Sequence, residues 1–224
     1  MKRIYLVRHG ESEGNLDTTL YLNKADHAIK LSPKGIGQAM TAGLKLNKEL
    51  TSISDVAYFK DNIRKELNRK IRVWASPYTR TRQTAEELSK YITVPYVYKE
   101  SILLVEQQFG LFDGLSDKEM MDKYPNEKLH YDKCSSHEGR FWARMPLGES
   151  RFDVCCRTHQ FFGTLHRDLR DNDVDTVVIV SHGVTIRAFI QGYLNLPYEW
   201  VDANSNPDNC SIQLIENRSV RFIT

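Results

Sequence analysis

At 224 residues the chain can enclose one substantial core and falls within the range of a single α/β domain. Hydrophobic residues make up 41% and charged residues 27%, an ordinary globular balance, and no apolar run approaches the length that spans a bilayer. The formal net charge of +2 argues against a nucleic-acid or membrane partner, which would need clustered charge, so any positive potential that matters is local.

The chain opens on "RIYLV" (3–7), whose four apolar residues read as a strand and are too few for a signal peptide. The connection over residues 16–31 is longer than a minimal loop and offers Tyr21, Lys24 and His27 to whatever lies beneath it. Ser32 suits an N-cap and Pro33 a first helical position, and Ile36, Ala39, Met40, Gly43, Leu44 and Leu46 continue at helical spacing. Residues 51–71, mixed in charge, predict a surface helix. "IRVWAS" (71–76) is a strand, followed by a helix that Pro77 can begin, and "VPYVYK" (94–99) is another strand. From about 100 to 145 the pattern is irregular, with short helical pieces such as "SDKEMMDKY". A long amphipathic helix over 148–170, a buried strand "DTVVIVSHG", a helix "VTIRAFIQGYL" and an edge hairpin from "CSIQLIEN" and "SVRFIT" complete the chain. No repeat or linker divides it, so one domain over 1–224 is expected. Strands alternating with helices predict an α/β fold with a mostly parallel central sheet and helices on both faces. The four cysteines (Cys134, Cys155, Cys156, Cys210) lack CxxC spacing and read as free thiols of a soluble, cytoplasmic protein.

In such sheets ligands bind beyond the carboxyl ends of the strands. Three predicted strands end in "RHG" (Arg8, His9, Gly10), "SPYTR" (Ser76 to Arg80) and "SHG" (Ser181, His182, Gly183), so two histidines and two arginines converge on one rim. The chemistry that fits is phosphoryl transfer through a histidine. A neutral imidazole is nucleophilic near neutral pH, and the charge developing on phosphoryl oxygens suits the planar fork of arginine. Arg8 and Arg80 can meet that charge from two sides. A protonated His182 would add a third donor and the backbone N–H at Gly183–Val184 a fourth, with Gly10 and Gly183 letting backbone approach the anion. Glu106, in "LLVEQQFG", is the candidate acid and base. Apolar neighbours would raise its pKa and arginines lower it, and a purely structural pairing with an arginine is an equal reading.

These residues resemble the histidine phosphatase superfamily, which includes the cofactor-dependent phosphoglycerate mutases. "LVRHGESEGN", "ASPYTRTRQTA", "EQQFG", "PLGES" and "VSHGVTIR" stand in the expected order over nearly the whole chain. The resemblance implies a phosphoglycerate mutase-like fold, a phosphohistidine on His9, and a phosphate pocket of Arg8, Arg80 and His182. It also implies that Glu106 is the proton donor and then the base, that Ser12 and Asn15 are phosphate or substrate contacts, and that neither metal nor cofactor is needed. The chain is most similar to a plant and fungal phosphoglycerate mutase-like branch sharing "RHGESEGN" and "R-x-P-x-GES".

A mutase must also grip a carboxylate. Family mutases carry an arginine directly after the acid/base glutamate and a lysine after the following "GLN". Here those places hold Gln107 and Asp117, with Lys118 one position on, and Arg140 and Arg144 only nearby. Hydrolysis of a small phosphomonoester is therefore the favoured reading. A mutase and a catalytically silent phospho-ligand binding protein are the alternatives. "CSSHEGR" has the Cys-x5-Arg spacing of cysteine phosphatases but lacks the preceding buried strand and mid-loop glycine, and is read as chance. Phe141, Trp142, Phe152, Phe161 and Phe162 read as core or lid packing, with "GRFWARMP" able to wall a substrate cleft.

Overall fold

Strand β1 (Arg3–Arg8) buries Ile4 and Leu6 against one layer and Tyr5 and Val7 against the other. A strand covered on both faces reads as a continuous apolar run, which is why four consecutive apolar residues mark the sheet's interior. The computed structural model describes residues 3–55, 70–172 and 174–224. Their six-stranded sheet has the order β3-β2-β4-β1-β5-β6, with β2 (Lys70–Ala75), β3 (Tyr96–Glu100), β4 (Val174–Ser181), β5 (Ile212–Glu216) and β6 (Ser219–Ile223). Strands β3, β2, β4 and β1 run parallel; β5 and β6 pair antiparallel at one end. The hairpin turn places Asn217 and Arg218 at φ of 50° and 60°, the doubly positive geometry that matches strand twist.

Helices α2 (Pro33–Asp55) and α3 (Thr79–Ser89) cover one face, through Ala42, Leu46, Leu50, Ala85 and Leu88. Helices α6 (Arg151–Asn172) and α7 (Gly183–Leu194) cover the other, through Phe161, Leu165, Ile186 and Phe189. The short α1 (Glu13–Leu16), α4 (Asp117–Lys123) and α8 (Glu199–Ala203) and the 14-residue α5 (Pro125–Glu138) lie in the connections.

Several sequence expectations are corrected. The helix after β2 starts at Thr79 rather than Pro77, because Tyr78 is extended (ψ 143°) and serves as its N-cap. Helix α2 does begin at Pro33, with the Ser32 hydroxyl accepting from the Gly35 N–H, but it buries Ala39, Ala42, Gly43 and Leu46 while Ile36, Met40 and Leu44 face outward. Region 100–145, read as irregular with short helical pieces, has one at α4 where "SDKEMMDKY" predicts it but also the longer α5; Cys134 lies on α5, which agrees with reading "CSSHEGR" as chance. The helix predicted over 51–71 lies mostly outside the described residues, and its first part, to Asp55, belongs to α2. Of the aromatics, Phe141, Phe161 and Phe162 are buried, whereas Trp142 and Phe152 are exposed.

One buried ion pair ties α6 to the sheet. Asp168 accepts from Arg72 Nε and Nη2, both at 3.1 Å, and from Trp74 Nε1 at 2.9 Å, with Arg72 5% and Asp168 3% exposed. Asp168→Ala strands a cation and an indole N–H in the interior and is expected to cost about 3 to 5 kcal/mol, with Asp168→Asn milder because it keeps an acceptor. Urea unfolding measures it; a loss below about 1 kcal/mol would mean that water reaches the pair.

Candidate active site

The sheet register sets Arg8 opposite Ser181 and Ala75 opposite Val180, bringing the carboxyl ends of β1, β2 and β4 level. His9, Ser76 and His182 each stand one residue past that line. The backbone N–H of His9 donates to Ser181 O at 2.9 Å and that of Ser76 to Val180 O at 3.0 Å, so the rim is an extension of the ladder.

His9 Nδ1 donates to the Gly10 carbonyl at 2.7 Å. That bond assigns the ring proton to Nδ1 and leaves the Nε2 lone pair as the nucleophile. Burial, then the Arg80 guanidinium, hold the His9 pKa well below its ordinary value, so the ring stays neutral near physiological pH. The His182 ring lies 5.2 Å from it, edge-on. Its Nε2 meets Ser76 Oγ at 2.9 Å, and its Nδ1 is buried without a hydrogen-bond partner among the described residues. Burial and the same arginine also depress the His182 pKa. A neutral His182 ring can still donate from Nδ1 when Nε2 accepts the Ser76 hydroxyl, so the third donor does not require a protonated ring.

The two arginines are held alike. Arg8 Nη1 donates to Pro207 O at 2.7 Å, and Arg80 Nη1 donates to Asp26 O at 2.8 Å and Asp26 Oδ1 at 2.6 Å. In both, Nε is buried with no partner among the described residues. The Tyr78 ring flanks Arg80, with Cζ 5.1 Å from its centroid, and also packs edge-on against His182. Three buried nitrogens without partners among the described residues (Arg8 Nε, Arg80 Nε and His182 Nδ1) therefore belong to neighbours of His9: Arg8 is next to it in the chain, the His182 ring stands 5.2 Å from it, and Arg80 acts electrostatically on its ring. Interiors satisfy their polar groups, and a cluster of such donors marks a place built for an anion.

Glu106 sits over the start of α7. Its Oε2 accepts from Val184 N and its Oε1 from Thr185 N, both at 3.4 Å, and Oε1 also accepts from Gln107 N at 3.0 Å. A carboxylate at a helix N-terminus complements the helix dipole. The Val184 N–H, expected to meet phosphate, is thus directed at Glu106 in this structure. "GES" acts as a bracket on the acid's loop. Glu149 N donates to Gln108 O at 2.8 Å, Gln107 Nε2 donates to Glu149 O at 2.9 Å, and Arg157 donates from Nε and Nη2 to the Glu149 carboxylate. Ser150 caps α6 reciprocally with Asp153.

Ser12 and Asn15 form a capping box on α1. Asn15 Oδ1 also meets Asn209 Nδ2, which donates to His9 O at 2.9 Å. Both rim glycines, Gly10 and Gly183, are also crowded by protein atoms. A Cβ on Gly10 would lie 2.5 Å from Gly35 O, and one on Gly183 would lie 2.5 Å from the Asn206 side chain. In the long connection, Lys24 pairs with Glu13, His27 stands 6.5 Å from the Tyr78 ring, and half-buried Tyr21 lines a cavity of about 650 Å³ with Phe109, Asp113 and Arg140. Burial, reinforced by Asp26 and opposed by Arg80, pushes the Asp113 carboxyl up to about 6. Arg144 pairs with Asp153, and Asp117 with Lys128. Sequence reasoning missed Asp26, Pro207 and Asn209, which act only through contacts distant in the chain. Ser76 and Tyr78 stood inside a quoted motif without a role.

Among the described residues, no helix is long and apolar enough to cross a membrane, and no cluster of three His, Cys, Asp or Glu could hold a metal ion. Residues 4–223 match the family model described as the histidine phosphatase superfamily (branch 1). The chain is 34% identical over 224 residues to the phosphoglycerate mutase-like protein AT74 of Arabidopsis thaliana, covering 96% of this chain and 65% of that relative, so it spans about two thirds of the relative's length. It is 25% identical over 292 residues to the broad-range acid phosphatase DET1 of Saccharomyces cerevisiae, covering 95% of this chain and 84% of that protein. In fold it is similar to the alpha-ribazole phosphatase of Shigella flexneri (TM-score 0.68, 19% identity, 98% and 94% of the two chains). It is likewise similar to mycobacterial glucosyl-3-phosphoglycerate phosphatase in complex with VO3 (TM-score 0.67, 23% identity, 99% and 96%).

Proposed function

The chain belongs to the histidine phosphatase superfamily, and from that premise we propose that residues 1–224 form one domain that hydrolyses a small phosphomonoester, without metal, through a phosphohistidine on His9. The observation that carries this reading is the set of three unpartnered buried nitrogens on Arg8, Arg80 and His182, the neighbours of a neutral His9 whose Nδ1 bond to Gly10 leaves Nε2 free. His9 Nε2 attacks phosphorus and forms a P–N bond as the ester P–O bond breaks. The departing alkoxide takes a proton from Glu106. Glu106, now a carboxylate, removes a proton from water; the resulting hydroxide displaces His9, releasing phosphate and restoring both groups. Arg8, Arg80 and His182 balance the oxygens' charge throughout, and Ser12, Asn15, Gly183 and Val184 frame the substrate side. The four free thiols accord with a reducing cytoplasmic setting.

Hydrolysis is favoured over mutase chemistry because Arg144 is engaged by Asp153 and Asp117 is acidic where a carboxylate grip is needed. Two assays test this: release of phosphate from an aryl phosphate over about pH 5 to 8 with excess chelator, and conversion of 3-phosphoglycerate primed with bisphosphoglycerate. Chelator-resistant release without mutase turnover is expected. Mutase turnover would overturn the preference for hydrolysis, and silence in both assays would favour a binding protein.

A further inference from the structure

We propose that Asp26 is a positioning residue of the phosphoryl pocket, gripping Arg80 by one terminal nitrogen so that the opposite Nε–Nη2 edge faces the phosphoryl oxygens. The assignment rests on the phosphatase reading above.

A free arginine side chain samples many rotamers, and ordering it against a ligand costs up to about 2 kcal/mol. Here that ordering is already done. Arg80 leaves α3 at its second residue, and its side chain is 3% exposed. Nη1 takes two acceptors from one residue, the Asp26 carbonyl at 2.8 Å and Oδ1 at 2.6 Å. The Tyr78 ring lies against the guanidinium. A planar group held at one end and flanked by a ring has one edge left, and Nε on that edge is buried without a partner among the described residues. That edge is the paired fork suited to phosphate.

Arg8 makes the comparison. It is held at the same nitrogen by a backbone carbonyl, that of Pro207, and its Nε is buried without a partner in the same way. Both arginines are thus presented by the same edge. Arg80 obtains this from a carbonyl and, in addition, a carboxylate of one residue on the one-turn helix Asp26–Ala28, 54 residues away in the chain. The long connection over 16–31 therefore supplies the pocket with a group that never needs to touch the substrate.

Orthophosphate binding by calorimetry and kcat/KM for an aryl phosphate test the assignment together, with thermal unfolding recorded for each variant. Asp26→Ala is expected to weaken orthophosphate binding and lower kcat/KM by about 10-fold or more, mainly through KM. Asp26→Asn keeps an acceptor oxygen and is expected to stay within about threefold of wild type. In an Arg80→Ala background, Asp26→Ala should change neither quantity further, because its effect runs through Arg80. A full additional loss in that background, or wild-type orthophosphate affinity in Asp26→Ala, would overturn the assignment. Wild-type protein that binds orthophosphate but turns nothing over would overturn the phosphatase reading alone, and the binding arm would still decide the role of Asp26.

Discussion

His9→Ala should abolish phosphate release, lowering kcat by at least about 10⁴-fold in preparations matched for folding. Removing the nucleophile deletes the P–N bond itself, and no other described side chain lies equally placed: His182 is turned onto Ser76, and its free nitrogen is a donor in the proposed scheme. Rapid quenching with radiolabelled substrate should trap an acid-labile, alkali-stable label on the wild type and none on the variant, as expected of a P–N bond. Orthophosphate should still bind, since Arg8, Arg80 and His182 remain. Equal turnover in the two proteins would remove the mechanism.

The same substitution has a signature in stability. Burial and the neighbouring arginines hold the His9 pKa well below its ordinary value. Below pH ~6.5 the unfolded chain therefore takes up a proton that the folded chain refuses, so stability is full above that pH and falls beneath it, by up to about 1.4 kcal/mol per pH unit. His9→Ala removes one of the two histidines that behave this way. As pH falls from 7 the variant should lose less stability than the wild type, which urea unfolding at each pH measures.

What could be read from the sequence, and what could not, follows from the range of the contacts involved. Arg8, His9 and His182 were legible because each ends an apolar run, and strands buried on both faces announce themselves locally. The glycines have a second reason that the sequence does not show. Gly10 and Gly183 are dictated by Gly35 O and the Asn206 side chain, neighbours that only the folded chain supplies. Helix α2 misled by size: a Cβ on Gly43 would lie 2.6 Å from Leu88 O, so the contact with α3 selects the smallest residues and leaves Ile36, Met40 and Leu44 outside. Helix α5 buries none of its residues and carries no amphipathic signal to find. Asp26 is one acidic residue in a polar connection, and nothing local separates it from Asp17 or Asp113.

Glu106→Gln is expected to lower kcat by about 10² to 10⁴-fold while orthophosphate affinity changes little. The amide is nearly isosteric, so its oxygen can still accept from Thr185 N or Gln107 N, and the loop bracketed by Glu149 should keep its place. What is lost is the proton. The first step then expels an unprotonated alkoxide, and the second loses the base that activates water. Leaving groups separate the two. An aryl phosphate with a very acidic phenol needs little protonation to depart, so Glu106→Gln should form the labelled enzyme at near wild-type rate and then stall, accumulating phosphohistidine. An alkyl phosphate should fail at the first step and accumulate nothing. A purely structural Glu106, paired only with the start of α7, would give neither contrast. The variant would then lose stability and phosphate affinity together, with the same fractional loss of rate for both esters, and the acid/base role would have to pass to another carboxyl. Asp113, half-buried with its pKa pushed up to about 6, would be the next to test.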